Sequence, residues 1–251
     1  MIDPWLYPLL TAAAVLAGFI DAIAGGGGLI MMPALLFAGV PPLNALGTNK
    51  LQSSFGTAIA YRNYAAAKLV DWRQHRWTIA AVFAGASVGG VIVQTIDNRS
   101  LMLIIPVLLL VMAGYTILSP RMHDEDAHER ISAKTYRPVA SGIGFYDGFF
   151  GPGTGSFFVT TLVALRGVGL TRATAQTKLF NLTSNVAAVI IFAIGGKMWW
   201  ALGLCMAVGS MAGGWLGSHT AMKFGSRLIR PLLVVLSLGL TARVLWGYFA
   251  G

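Results

Sequence analysis

Charge is scarce in this sequence. Only 11% of its 251 residues are Asp, Glu, Lys or Arg, while 56% are hydrophobic and the mean hydropathy is +0.70. A soluble domain carries about 25% charged residues, so an ordinary water-facing surface is excluded. Acids are the scarcest group, nine against 18 Lys and Arg. In a soluble protein the net charge of +9 would point to nucleic acid. Here Lys and Arg gather in loops, as they do on the cytoplasmic side of membrane proteins, and no nucleic acid is expected. Cysteine is nearly absent: Cys205 stands alone in an apolar run, which excludes an internal disulfide and reads as packing. The four histidines lie in loops or at segment ends. No His/Cys/Asp cluster has metal-ligand spacing, and no nucleophile stands beside a base. A membrane-embedded enzyme is therefore disfavoured and no cofactor is expected.

What is abundant is long apolar sequence. Runs of bilayer-spanning character fall near 5–24, 29–41, 51–67, 77–96 and 101–119, then near 138–150, 155–170, 179–195, 198–218 and 228–250. The start Met1-Ile2-Asp3-Pro4 lacks the positive region of a cleaved signal, so the first run is expected to stay. The stretch Ser119–Arg137, with Asp124, Glu125, Asp126 and Glu129 among basic residues, reads as a solvated connector. It divides the chain into a first membrane repeat, 1–119, a polar linker, 120–137, and a second repeat, 138–251.

The two parts repeat one another. Gly18-Phe19-Ile20-Asp21 followed by Gly25-Gly26-Gly27-Gly28 is echoed by Gly144-Phe145-Tyr146-Asp147 followed by Gly151-Pro152-Gly153-Thr154. Lys50-Leu51 matches Lys178-Leu179, and Gly85 with Gly89-Gly90 matches Gly209 with Gly213-Gly214. A doubled, glycine-broken apolar element marks a transporter with its site where the breaks meet. Loop charges bear on orientation. Read as single crossings, the broken segments give eight helices in a 4+4 arrangement and leave both positive loops of the second repeat outside. Read as hairpins that return, they place every positive loop inside and invert the second repeat. The expected fold is therefore an all-α polytopic membrane protein of two inverted repeats, each a glycine-broken hairpin followed by three transmembrane helices.

Three sets of residues carry chemistry. Asp21 and Asp147 are the two acids well inside apolar segments. A charge there costs about 2.5–3.5 kcal/mol on insertion scales and usually faces a cavity or a partner. Each reads either as a proton-titrating or gating group, or as a cap on backbone N–H groups freed by the break. Gly25, Gly26 and Gly27, with Gly151, Gly153 and Thr154, expose backbone donors ahead of a half-helix, a setting for anions. They are not P-loops, since neither run ends in Gly-Lys-Ser/Thr. The third set is a polar stripe: Asn49, Lys50, Ser53 and Ser54 share one helix face, and Thr177, Lys178, Asn181 and Asn185 another. The lysines read as starting their helices, so snorkelling to headgroups is the alternative to a cavity. A cationic, amide- and hydroxyl-lined stripe suits a small oxyanion, which offers several acceptors and no donors.

The repeated Gly-Phe-x-Asp-x-x-x-Gly-x-Gly element and the Asn-Lys-Leu and Thr-Lys-Leu motifs resemble the sulfite exporter TauE/SafE family of membrane permeases. The resemblance covers nearly the whole chain. It implies transport of small sulfur-containing anions, such as sulfite or organosulfonates, across the bacterial inner membrane. Carried over by position, the family motif falls on Asp21, Gly25, Gly27, Asn49 and Lys50, then on Asp147, Gly151, Gly153, Thr177 and Lys178. Without a nucleotide-binding motif, drive is expected from the proton-motive force or the substrate's own gradient. A channel-like anion pathway is the alternative.

Overall fold

The computed structural model of the chain describes residues 3–118 and 128–224. Among these it is all-helical: Leu6–Ala24 (α1), Gly27–Phe37 (α2), Pro42–Ala66 (α3), Arg76–Val93 (α4), Asn98–Leu118 (α5), Ala133–Phe149 (α6), Thr154–Arg166 (α7), Leu170–Ile194 (α8) and Trp200–Phe224 (α9). A single 3₁₀ turn, Trp72–His75, leads into α4. The expected span at 228–250 and the acids Asp124, Glu125 and Asp126 lie outside the described residues.

Both glycine runs break their helices. α2 has 11 residues and α7 has 13, about 16 and 20 Å at 1.5 Å per residue. Neither crosses a hydrocarbon core of about 30 Å. The segments are hairpins of one long and one short arm. Among the described residues four stretches are long and apolar enough to cross a membrane: Leu6–Ala24, Trp72–Val93, Leu170–Ile194 and Trp200–Phe224. α3 matches α8 in length at 25 residues but is less apolar, and both bury a polar stripe in the bundle.

Packing fixes the directions. α1 runs parallel to α9, with Gly209, Gly213 and Gly217 against the backbones of Thr11, Val15 and Phe19. α6 runs parallel to α4, with Gly85 and Gly89 against Ser141 and Phe145. Such small residues let helix backbones approach closely in lipid. α3 follows α9, since Leu51 meets Gly203 and Asn63 donates to Ser218 at 2.8 Å. α8 opposes α3, since Gly47 meets Phe192 while Lys50 reaches Asn185. Gly90 on α4 meets Ile191 on α8, and His75 just before α4 meets Phe180. So α1, α3 and α9 run one way, and α4, α6 and α8 the other.

Two expectations need correction. α3 and α8 begin at Pro42 and Leu170, about two turns earlier than the apolar runs at 51 and 179 imply. Hydropathy measures lipid exposure, and these turns are polar yet buried in protein, so the count missed them. α6 begins at Ala133, inside the stretch read as linker 120–137, where Ser132 caps it by accepting from the Thr135 N–H. Arg166 at the end of α7 pairs with Glu129 and donates to the Ile131 carbonyl at 2.5 Å, fastening that connection to the hairpin.

The apolar core lies in two clusters, one around Met31, Leu46 and Phe192, the other around Tyr64, Phe158 and Leu179. On α3 the residues Ser53–Thr57 separate the clusters, and on α8 Asn181–Asn185 do. The polar layer sits between them.

Candidate functional site

The breaks meet in that layer. Gly25 caps α1 in the left-handed region, φ +77°, with its N–H on the Asp21 carbonyl at 2.8 Å. A methyl on Gly25 would lie 2.5 Å from the Gly155 α-carbon, so the two hairpins touch backbone to backbone. Gly151, φ +97°, leaves space that the Lys50 ammonium takes: a methyl there would lie 2.7 Å from Lys50 Nζ. Tyrosine hydroxyls tie down the backbone near both breaks, Tyr64 donating to the Ala22 carbonyl at 3.0 Å and Tyr146 to the Pro152 carbonyl at 2.8 Å.

The lysines do not start their helices. Each stands eight residues inside, at 50 after Pro42 and 178 after Leu170, about 12 Å along the axis. Their side chains are 3% and 0% exposed. Snorkelling is therefore corrected, because both ammonium groups are buried in protein. Each has an acid from the other half of the chain. Lys50 Nζ donates to Asp147 Oδ1 at 2.5 Å and to Asn185 Oδ1 at 3.2 Å. Lys178 Nζ donates to the Asp21 carbonyl and to Asp21 Oδ2 at 3.1 Å. The four charges cancel in two crossed pairs, so the stripe is not the free cationic surface expected. Unpaired ammonium groups at this depth would carry a large desolvation cost.

Thr154 and Ser184 complete the shell of Asp147. Thr154 Oγ1 lies 3.0 Å from Asp147 Oδ1 and 2.6 Å from the Gly151 carbonyl, and Ser184 Oγ donates to Asp147 Oδ2. Ser184 was missed in the sequence. It stands seven residues after Thr177 and three after Asn181, on the same face of α8, so helical spacing could have found it, and the packing of α6 on α8 brings it to the acid. At the other acid, the Gly27 N–H stands 3.4 Å from Asp21 Oδ1.

These groups border a polar cavity of about 30 Å³ lined by Asp21, Gly25, Gly28, Asn49, Lys50, Ser53, Asp147, Gly151, Thr154, Gly155, Asn181 and Asn185. A smaller cavity of about 10 Å³ adjoins it, lined by Asp21, Gly27, Gln52, Ser53, Gly56, Thr57 and Ser210 among others. Of the sequence-derived candidates, Asp21, Gly25, Asn49, Lys50, Ser53, Asp147, Gly151, Thr154 and Asn181 share the larger cavity. Gly27 lines the smaller one. Gly26, Gly153, Thr177 and Lys178 line neither: Gly26 caps α2, Gly153 packs on Met112, and Lys178 stands behind Asp21. Four buried polar atoms of the described residues have no hydrogen-bond partner: Gln52 Oε1, Ser156 Oγ, Thr177 Oγ1 and Asn181 Oδ1. Leaving such an atom unpaired costs about 1–3 kcal/mol, and two of the four, on Gln52 and Asn181, belong to residues that line the cavities.

An apolar helical bundle whose broken hairpins meet on an enclosed, charged layer has the build of a membrane transporter. Comparison with known proteins agrees. The chain belongs to the Sulfite exporter TauE/SafE family, whose model matches residues 10–244. It is 41% identical over 247 residues to "Probable membrane transporter protein YfcA" of Escherichia coli, covering 98% of this chain and 92% of that one. It is 44% identical over 241 residues to "Probable membrane transporter protein ORF9" of Sinorhizobium sp, with 96% and 92% covered. A "Probable membrane transporter protein" of Haemophilus influenzae is 40% identical over 247 residues, with 97% of each chain covered. No solved structure matches.

Proposed function

We propose that the protein is a secondary transporter for small anions, sulfur oxyanions or organosulfonates such as sulfite, working by alternating access in the bacterial inner membrane. The crossed pairing of Lys50 with Asp147 and Lys178 with Asp21 carries this reading, with Asp21, Lys50 and Asp147 lining one cavity and Lys178 behind Asp21. Two buried cations whose partners sit on separate hairpins are an anion site in waiting. When the hairpins part, the lysines lose their carboxylates, and an anion takes over the counter-charge. Asn49, Ser53, Thr154 and Asn181 offer polar contacts around it, and Gly25, Gly151 and Gly155 let the backbone come close.

A cavity of about 30 Å³ has room for one or two waters, less than an oxyanion with three oxygens needs. Admission of substrate thus requires movement, which favours a carrier over an open channel. Opposed directions in α1 and α6, α3 and α8, α4 and α9 support reading the chain as two inverted repeats that rock about this layer. A thermal-shift screen of purified protein against sulfite, sulfate, thiosulfate, sulfoacetate and simple carboxylates tests the substrate class, since a ligand of the folded form raises its apparent stability. Counterflow in proteoliposomes tests the mechanism. External unlabelled anion should accelerate exit of labelled anion from a carrier, and no acceleration would leave the channel.

A further inference from the structure

The two acids are not equivalent. Asp147 accepts from three side chains, Lys50, Thr154 and Ser184, and its own side chain is 5% exposed. Among the described residues Asp21 accepts from one side chain, Lys178, with the Gly27 N–H at 3.4 Å, and it is 22% exposed. The sequence carries the difference. Ser184 stands six residues after Lys178, whereas six after Lys50 stands Gly56. Thr154 stands seven after Asp147, whereas seven after Asp21 stands Gly28. Both hydroxyls that hold Asp147 are glycines on the Asp21 side.

Space and polarity replace them. Of the two positions where a hydroxyl is missing, Gly28 lines the larger cavity. The cavity of about 10 Å³ borders the other, Gly56, and Asp21, Gly27, Gln52, Thr57 and Ser210 also line it. That is about the least volume that holds one water. Gln52 Oε1 there is buried with no partner, so it stands ready to accept from a water or from a protonated acid. Asp21 and Ser53 line both cavities, which makes the Asp21 carboxyl the link between them. The ionisable groups around it are Lys178 from α8, Lys50 and Tyr64 from α3, and Asp147 from α6 across the larger cavity. α2, α7 and α9 bring glycine, threonine and serine.

We infer that Asp21 is the group that takes up and releases a proton in the transport cycle, while Asp147 stays charged as the fixed partner of Lys50. This rests on the transport reading above. The proton comes from bulk water through the smaller cavity, forms an O–H bond at a carboxylate oxygen of Asp21, and leaves by the reverse step. While Asp21 is neutral, Lys178 behind it lacks a counter-charge, and an anion beside Lys50 in the larger cavity offsets that charge across the Asp21 carboxyl, so proton and anion enter together. When the anion departs, Lys178 again favours the ionised acid and the proton follows.

Infrared difference spectroscopy of the purified protein in lipid, titrated from alkaline to acid without any anion substrate, reads protonation of an enclosed carboxyl directly. The expected result is one carboxylic-acid C=O band outside the range of solvent-exposed acids, lost in Asp21→Asn, shifted in Asp21→Glu, and kept in Asp147→Asn. Where Asp147→Asn does not fold, Ser184→Ala serves: the hydroxyl it removes donates to Asp147, so the band should keep its frequency, and a shifted band would assign it to Asp147. Absence of such a band in the wild type, its survival in Asp21→Asn, or its loss in Asp147→Asn each overturns the assignment. Because no anion is present, failure here leaves the transport reading standing, and failure of the substrate screen leaves this one standing.

Discussion

Replacing Lys50 with Met keeps most of its length and removes its charge, which leaves Asp147 in protein with Thr154 and Ser184 as its remaining side-chain donors. Removing one partner of a buried ion pair costs about 3–5 kcal/mol. The surviving hydroxyls place the expectation near the lower end, about 3 kcal/mol, a shift in the folding constant of about 100-fold. Lys178→Met exposes a different situation. Its partner Asp21 is 22% exposed and borders both cavities, so water replaces part of what the ammonium supplied. That loss should fall between an exposed pair, about 0–1 kcal/mol, and a buried one, at about 1–2 kcal/mol. Removing both charges of the first pair in Lys50→Met with Asp147→Asn should restore much of the loss, since neutral replacement of a buried pair is often tolerated. The assay is unfolding in mixed micelles of mild detergent and SDS, followed by tryptophan fluorescence. If Lys50→Met is no worse than Lys178→Met, or the double variant no better than the single, the reasoning about the buried pairs fails.

Other expectations can be checked alongside. Gly25→Ala meets the Gly155 backbone as well as a left-handed φ, so it should lose more stability and transport than Gly39→Ala. Gly39 shares the left-handed φ but has nothing near the added methyl, so about 1–2 kcal/mol of backbone strain is all it should show; equal effects would remove the hairpin contact from the account. After Cys205→Ser, cysteines at Lys68 and Lys223 should label from one face of the membrane and cysteines at Asp97 and Lys197 from the other. Lys68 and Lys223 labelling from opposite faces would sink the returning hairpins. Asp97 lies exposed before α5, where the backbone N–H and then the hydroxyl of Ser100 hold its carboxyl below the usual value. Its contribution to stability is therefore present above the ordinary carboxylate range and fades as pH falls through the lowered value. Ser100→Ala keeps the N–H and removes the hydroxyl, so it should move part of that acid-side loss to higher pH in a thermal-unfolding series, and an unchanged profile would remove the hydroxyl as a cause.

Much of the layout was legible because lipid leaves few ways to satisfy a backbone. Glycine runs inside apolar sequence could only be breaks, and Asp21 and Asp147 beside them could only face protein or a cavity. The starts of α3 and α8 were not legible. A stripe such as Thr48-Asn49-Lys50 looks like a headgroup region when the scale assumes lipid all round, and here the surroundings are other helices. The crossed pairing was hidden for another reason. Periodicity reports which residues share a face of one helix, whereas Lys50 meeting Asp147 depends on α3 and α6 from different halves coming together.

The crossed pairs also bear on how the chain is made. Synthesis runs from the N-terminus, so α1 to α5 enter the bilayer while Asp147 and Lys178 do not yet exist. At that stage Asp21 and Lys50 can neutralise only each other or stay near water, since each charge at the centre of the bilayer costs about 2.5–3.5 kcal/mol. The arrival of α6 to α8 then makes both exchange partners, Lys50 to Asp147 and Asp21 to Lys178. A chain stopped before α6 would thus carry Asp21 and Lys50 without either native partner, and one stopped before α8 would give Lys50 its acid while Asp21 still waited for Lys178.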